Sequence, residues 1–256
     1  MRYKKIKAMV LAFSVILSCS FADPFIDSVT GVCVGTYQDI NFSDTTKVLG
    51  PPQSYDMVGL GGSEDVYNLG IGGSLSVEFT DNVIYDGPGA DFVVFENPFY
   101  IGGDYSRVYI EPGIVYVSSD GDNYTSFPAN YIPPTPLISG GDDNPDHYIN
   151  FAGIRPVFSN PENGIDPLNP QESGGDSFDL YDIAFKAEHY KVDLQNIRYI
   201  RIEDVIRMTD TDYNGDLVPG TTNPVVNGFD LDAIAAINWR SPGIISKTEP
   251  FWSFYE

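Results

Sequence analysis

Apolar and polar residues alternate with a period of two along most of the chain, and glycine, proline, asparagine or aspartate interrupts the alternation at short intervals. Five stretches carry it most clearly: 75–79 (LSVEF), 91–96 (DFVVFE), 113–118 (GIVYVS), 199–203 (YIRIE) and 233–238 (AIAAIN). Successive side chains of a strand point to opposite faces, so each stretch predicts a strand with one side turned to a core. Between them, DGPGAD at 86–91 places glycines where positive φ is needed. In SSDGDNYTSF at 118–127, Asp120-Gly121 is a hairpin signal followed by an aromatic able to pack back. Only 179–190 reads as helical, and it is short and poorly capped. No repeat of fixed period and no Ser/Gly linker divides the chain. The stretch 133–177 is a long irregular insertion rich in Pro, Gly, Asn and Asp, of the kind that is functional or ordered by a metal. Many strands, tight turns and no helical alternation predict an all-β fold, an antiparallel β-sandwich, in one domain over 23–256.

Composition supports this. The 256 residues suffice to bury a core without disulfides, and 17 Tyr, 16 Phe, 25 Gly and 19 Pro suit short strands joined by turns. The first 22 residues stand apart. Four basic residues, an apolar run over 8–17 and the small-x-small stretch Ser20-Phe21-Ala22 read as a secretory signal peptide. Ile16-Leu17-Ser18-Cys19 also approximates a lipobox, in which Cys19 would be lipidated; soluble export and lipid attachment both stay open. The apolar run is too short for a membrane span, and no other segment approaches one. The formal charge of −22 becomes −26 once the leader takes Arg2, Lys4, Lys5 and Lys7 with it. A chain this acidic, without clustered Lys and Arg, is a poor partner for nucleic acid and suits divalent cations or cationic partners. Cys33, the one cysteine beyond the leader, lies between valines and is expected to pack as a small buried apolar group.

Two resemblances follow from longer blocks. VYVSSDGDNYTSFP (115–128) and the later IRYIRIED (197–204) resemble galactose-binding-like, or discoidin-like, jelly rolls, which implies the fold more than a ligand. VLGPP (48–52), LGIGGSLSVEFTDNVIYDGPGADFVVFEN (69–97), EPGIVYVSSDG (111–121), GGDSFDLYDIA (174–184), RYIRIEDV (198–205) and NGFDLDAIAAIN (227–238) are similar to a family of secreted bacterial cell-surface proteins. That family pairs LGxGGSLxLxF with DGPGxDFxVFEN and ends on GFDLDAV. It is mostly without assigned activity; the resemblance implies an exported or anchored protein on a β-sandwich core. Some members carry a C-terminal sorting segment. This chain ends in KTEPFWSFYE, so attachment would come from Cys19 or from partners.

DTDYNGD at 210–216 has the start of a calcium loop: Asp210, Asp212 and Asn214 at positions 1, 3 and 5, Gly215 at 6, and Asp216 at 7 for a backbone carbonyl. Position 12 falls on Thr221 instead of a glutamate, so the loop is not an EF-hand, and further ligands would come from elsewhere. Asp230 and Asp232 are expected on one strand face and complete the predicted calcium set. The alternative is an acidic turn held by its own Asx hydrogen bonds. A second cation site is open around Asp142, Asp143, Asp146, Asp176, Asp179, Asp182 and Glu96-Asn97, although Asp176 and Asp179 also suit the capping of the 179–190 helix.

Catalytic motifs are absent. There is no HExxH, no GxSxG and no P-loop, and the two histidines, His147 and His189, lie in no recognisable motif. Binding is better supported: Tyr105, Tyr131 and Tyr148, with His147, fall in loops or at strand ends beside Asn and Asp, as a stacking platform for a carbohydrate requires, although aromatics of a sandwich more often pack in its core and His147 also reads as a solvated loop residue. The expected protein is therefore exported to the cell surface, the periplasm or the extracellular space, calcium-stabilised and non-catalytic, and binds a glycan, a surface protein or a small ligand. A carbohydrate-active hydrolase or lyase using loop carboxylates, and a structural envelope component, are the alternatives.

Overall fold

The computed structural model describes residues 22–55, 59–135, 141–221 and 228–242. The leader up to residue 21, Cys19 within it and the terminal KTEPFWSFYE lie outside the described residues. In chain order the strands are β1 (Ser28–Cys33), β2 (Tyr67–Asn68), β3 (Ser74–Glu78), β4 (Val83–Ile84), β5 (Phe92–Phe95), β6 (Gly113–Ser118) and β7 (Thr125–Ser126). They continue with β8 (Asn130–Tyr131), β9 (Tyr148–Ile149), β10 (Asp176–Phe178), β11 (Tyr199–Asp204), β12 (Asp230–Leu231), β13 (Ala233–Ala236) and β14 (Trp239–Arg240). All named pairings are antiparallel. The fold is thus β-rich, and among the described residues helix is confined to 3-10 turns, α1 (Pro170–Ser173) and α2 (Ala184–Tyr190). All five predicted strands are present, within a residue or two at their ends.

Two sheets organise the molecule. The larger has the order β1-β3-β11-β6-β7, and the smaller is β10-β5-β13. Alternation orients the larger sheet: Leu75, Val77, Val115, Val117, Ile200 and Ile202 are buried, while Ser76, Tyr116 and Arg201 on the opposite face are only partly so. The buried set shares one hydrophobic cluster with Phe92, Val94, Phe178, Ile234 and Ala236 of the smaller sheet. The smaller sheet is covered on its other side too, where Val93, Phe95, Ala233 and Ala235 pack with Val157 and Leu168. This explains why 92–95 and 233–236 read as nearly continuous apolar runs: neither face meets water. Val108, Ile110, Tyr131, Tyr148, Phe151 and Ile154 form a further buried cluster. Much of the 133–177 insertion therefore supplies packing and strand pairing, through β9, Ile154, Val157 and β10.

The helical expectation over 179–190 is met by a 3-10 turn, Leu180–Ile183, running into α2. Asp179 caps it by accepting from the Tyr181 N–H at 2.9 Å, and Lys191 closes it in a left-handed conformation. Asp176 does not cap: it lies in β10. Cys33 is a correction. It is exposed, because β1 is an edge strand paired only with β3 and its last residues extend past the core.

Phe92 is the aromatic centre of the main core, stacked on Phe178 at 5.2 Å and edge-on to Phe127 at 5.8 Å. Phe92→Ala removes a fully buried ring where three elements meet, and is expected to cost about 3–5 kcal/mol. Urea titration followed by tryptophan fluorescence checks this; a loss below about 1 kcal/mol would place the core elsewhere.

Candidate metal centre

Buried carboxylates are the chemical signature of this interior, and most have a clear occupation. Asp91 is fully buried and accepts from the N–H of Gly87 at 2.8 Å, the N–H of Leu180 at 2.7 Å and the Asn238 amide at 2.8 Å. Asp204 accepts from Gly72 N–H and Phe229 N–H, both at 2.8 Å. Asp176 accepts from Ile154 N–H at 2.9 Å. Both oxygens of Asp232 face the Gln53 N–H, at 3.1 and 3.0 Å. Burial raises these acids, Asp91 and Asp204 to about 6, Asp176 to about 7 and Asp232 to about 8, and the backbone donors pull each part of the way back.

Among the described residues, two groups of three acids bring ligand oxygens within 4.8 Å of one another: Asp86, Asp91 and Asp179, and Glu96, Glu111 and Asp230. They differ in what already occupies the oxygens. In the first, Asp91 has three donors and Asp179 caps the helix. In the second, Glu96 follows β5, Glu111 precedes β6 and Asp230 opens β12, so three remote segments converge. Asp230 accepts from the Asn68 amide at 2.6 Å and the Asn97 amide at 3.3 Å, and its own N–H donates to Glu96 at 3.1 Å. Glu111 is 6% exposed, and its buried Oε1 has no hydrogen-bond partner.

Three acids share this space with too few donors. Burial first, then the neighbouring charges, push Glu96 and Glu111 well above the usual carboxylate range; Arg207 offsets a little of this at Glu111. Asp230 rises to about 6, chiefly through burial. Three anions so placed, with one oxygen unpartnered, need protons or a cation. Glu111 also lines a cavity of about 160 Å³ with Asp204 and Arg207.

The DTDYNGD loop is organised differently. Asp212 Oδ1 accepts from the N–H groups of Asn214 and Asp216, each at 2.8 Å, and Oδ2 from Tyr131 N–H at 2.8 Å. Asp210 accepts from Ile206 N–H at 2.8 Å, the Asn214 amide meets Asn130, and the Asp216 side chain is exposed. The side chains expected to face an ion are thus taken by the loop's own backbone and by the 129–131 segment. This arrangement is the Asx-bonded acidic turn. Asp230 and Asp232 do not join Asp210 or Asp212 in either acidic group, and they part from each other. The strand changes partner between Leu231, opposite Tyr67, and Ala233, opposite Phe95, so Asp230 turns to Glu96 and Asp232 to Gln53.

Of the residues expected to bind ligand, Tyr131 and Tyr148 are buried, contrary to a surface platform. Their rings lie 5.1 Å apart, and their hydroxyls donate to Asp142 Oδ2 at 2.8 Å and to the Asp142 carbonyl at 2.9 Å. His147 is partly buried, with Nδ1 2.6 Å from Asp142 and Nε2 3.2 Å from the Asn144 amide. These three fix the 141–148 segment in place. Tyr105 is 66% exposed. Sequence reasoning placed Glu96 at a strand end but missed Glu111, whose one signal is an acid set between Ile110 and Pro112 at the mouth of an apolar strand. Neither the scan against family models nor the search of curated proteins finds a match to this chain.

The raised acids set a pH dependence. A carboxylic acid whose folded pKa exceeds its unfolded value stabilises the fold most below the unfolded value, and that stability is lost as pH rises through the folded one. For Asp230, Asp204, Asp176 and Asp232 the window runs from about 4 to about 8. In EDTA, the melting temperature is expected to fall as pH rises across it, and Glu111→Gln to flatten the decline. A melting temperature that climbs from pH 5 to 8 would contradict the assignment.

Proposed function

We propose that this chain is an exported, non-catalytic binding module of the bacterial cell surface, built on an antiparallel β-sandwich of jelly-roll type and stabilised by calcium held at Glu96, Glu111 and Asp230. The observation that carries the metal reading is Glu111, whose buried Oε1 is unpartnered and whose carboxylate brings an oxygen within 4.8 Å of oxygens of Glu96 and Asp230. Hard oxygen donors suit calcium, whose ligands at 2.3–2.6 Å span about 4.6–5.2 Å across the shell. Oxygens within 4.8 Å of one another fit that span. The sandwich reading is supported by two antiparallel sheets sharing one core, and by the likeness of 115–128 and 197–204 to galactose-binding-like jelly rolls.

Export is supported by the basic and apolar leader, with or without lipidation of Cys19, and the surface assignment by the LGIGGSLSVEF, DGPGADFVVFEN and GFDLDAIAAIN blocks. Among the described residues no helix is long and apolar enough to cross a membrane. The hydrolase or lyase alternative calls for a pair of loop carboxylates, and Glu96 and Glu111, the most perturbed acids, do not supply one. Glu96 is 1% exposed and the adjoining cavity is only about 160 Å³, so a glycosidic bond has no approach to both.

Calcium binding the folded state alone adds about 2.7 kcal/mol at a hundredfold excess over Kd, which for a domain of this size raises the melting temperature by about 5–10 °C. EDTA should reverse the rise, and Glu111→Gln and Asp230→Asn should abolish it. Asp212→Ala should lower the starting melting temperature, because Tyr131 N–H loses its acceptor, yet keep the calcium shift. Equal melting of the wild type in calcium and in EDTA would refute the metal reading; loss of the shift only in Asp212→Ala would return the ion to the 210–216 loop.

A further inference from the structure

A cleft of about 710 Å³ lies between the turn at 100–108, the turn at 144–146 and the strap at 155–175. Its aromatic wall is braced. Tyr105 is 66% exposed and rests edge-on against Tyr100 at 4.8 Å, and Tyr100 lies 6.3 Å from Phe158. The turn carrying Tyr105 is closed by Asp104, which accepts from Ser106 N–H at 3.0 Å and Ser106 Oγ at 2.7 Å. Arg107 ties this turn to the opposite wall through two bonds to Asp143, at 2.8 and 2.7 Å. The walls are therefore set before any ligand arrives, which lowers the entropy lost on binding.

The polar groups at the cleft identify its ligand. Arg155 is exposed and forms no ion pair with any described residue, although the chain carries 36 acids against 14 bases. The Gln171 side chain is exposed and makes no hydrogen bond to a described residue; Gln171 is bonded only through its backbone N–H, to Asn169. An exposed tyrosine face lining one cleft with an exposed guanidinium, whose charge also acts on the buried Asp176, and an exposed amide matches a pyranose, whose C–H face stacks on the ring while its hydroxyls take the donors. The cleft's two charged side chains, Arg155 and Asp146, are of opposite sign, so its walls offer a cationic ligand no net attraction. A polyanion would meet the field of a chain at −22, and one arginine does not overcome that.

We infer that this cleft binds a neutral oligosaccharide, with Tyr105 as the stacking platform and Arg155 and Gln171 as hydroxyl donors. The inference rests on the reading of the chain as an exported binding module and names the ligand class and the site. It gives Tyr105 the role expected of it and replaces Tyr131, Tyr148 and His147 by Arg155 and Gln171.

Isothermal titration of the calcium-loaded protein with neutral gluco-, xylo- and manno-oligosaccharides tests it, with oligouronates as the anionic arm. Binding of a neutral member is expected, weakened about tenfold or more by Tyr105→Ala and by Arg155→Ala. Tyr105→Ala should melt like the wild type, and Arg155→Ala slightly lower, because the guanidinium charge helps offset the burial of the Asp176 carboxylate. Phe185→Ala, on exposed α2 outside the cleft, should bind unchanged, and affinity should hardly vary between 50 and 500 mM salt, because no charge pair forms. A silent neutral panel, a preference for oligouronates, or binding that survives both variants would each overturn the assignment. Silence in a protein whose melting still responds to calcium would remove the cleft assignment and leave the metal reading standing. A wild type whose melting ignores calcium but which binds neutral sugar through Tyr105 and Arg155 would do the reverse.

Discussion

The structure depends on how a buried carboxylate meets backbone N–H groups from distant parts of the chain. Short strands leave much of the backbone outside regular ladders, and three of the sheets are only two strands of two residues. Backbone donors in those stretches need acceptors, because an unpaired buried N–H costs about 1–3 kcal/mol. Aspartate supplies them. Asp204 joins the 72 turn to Phe229, Asp91 joins β5 to the helix start at Leu180, Asp232 reaches Gln53 and Asp212 holds Tyr131. Each spans dozens of residues or more. In a chain whose one described cysteine is unpaired, they do the cross-linking that disulfides do in many exported proteins. This also gives the acidity an origin other than solubility: part of the negative charge is inside, as acceptors.

Against that rule the Glu96, Glu111 and Asp230 cluster is an exception with a chemical meaning. Where Asp91 has three donors, Glu111 Oε1 has none, and its nearest companions are two more acids. The same desolvation acts at every buried acid; what differs is whether the fold provides enough donors to offset it. A divalent cation meets the deficit without further backbone donors, and it does so where β5, β6 and β12 come together. Calcium there would cross-link the smaller sheet, the larger sheet and the β2–β12 pair at one point.

What could be read from the sequence follows the distance over which each feature is encoded. Strands and turns are encoded within a few residues, so the alternation at 75–79, 113–118 and 199–203 located β3, β6 and β11. The DTDYNGD loop was conspicuous for the same reason: its acids are close in sequence. Such closeness equally suits an Asx turn, and nothing local indicates that Asp212 spends its oxygens on Asn214, Asp216 and Tyr131. The centre that lacks donors is assembled from positions 96, 111 and 230, with no spacing to betray it. For Tyr131 and Tyr148 the Asp/Asn-rich neighbourhood suggests water while aromatic character suggests core, and only the fold decides: Asp142 is buried beside them and takes both hydroxyls. Cys33 was misread because flanking valines suggest a core, and only the sheet order makes β1 an edge.

The centre and the cleft are joined by a short run of backbone. Glu111 leads into Gly113, which exchanges hydrogen bonds with Ala152 at 2.9 and 3.0 Å. Gly153 follows at φ 79°, where a Cβ would stand 2.1 Å from the Glu111 carbonyl, so only glycine permits this approach. The next two residues, Ile154 and Arg155, donate N–H groups to Asp176 at 2.9 and 3.4 Å, and Arg155 enters the cleft. Whatever fixes Glu111 therefore also fixes the segment that presents Arg155, through backbone contacts with little freedom of their own. If Glu111 is left as an uncompensated charge, the strain falls on the 111–113 and 152–155 pairing, the wall from which the guanidinium projects. A cation at Glu111, as proposed, would therefore bear on the cleft without lying near it: it would neutralise one end of a connected run of backbone whose other end presents Arg155.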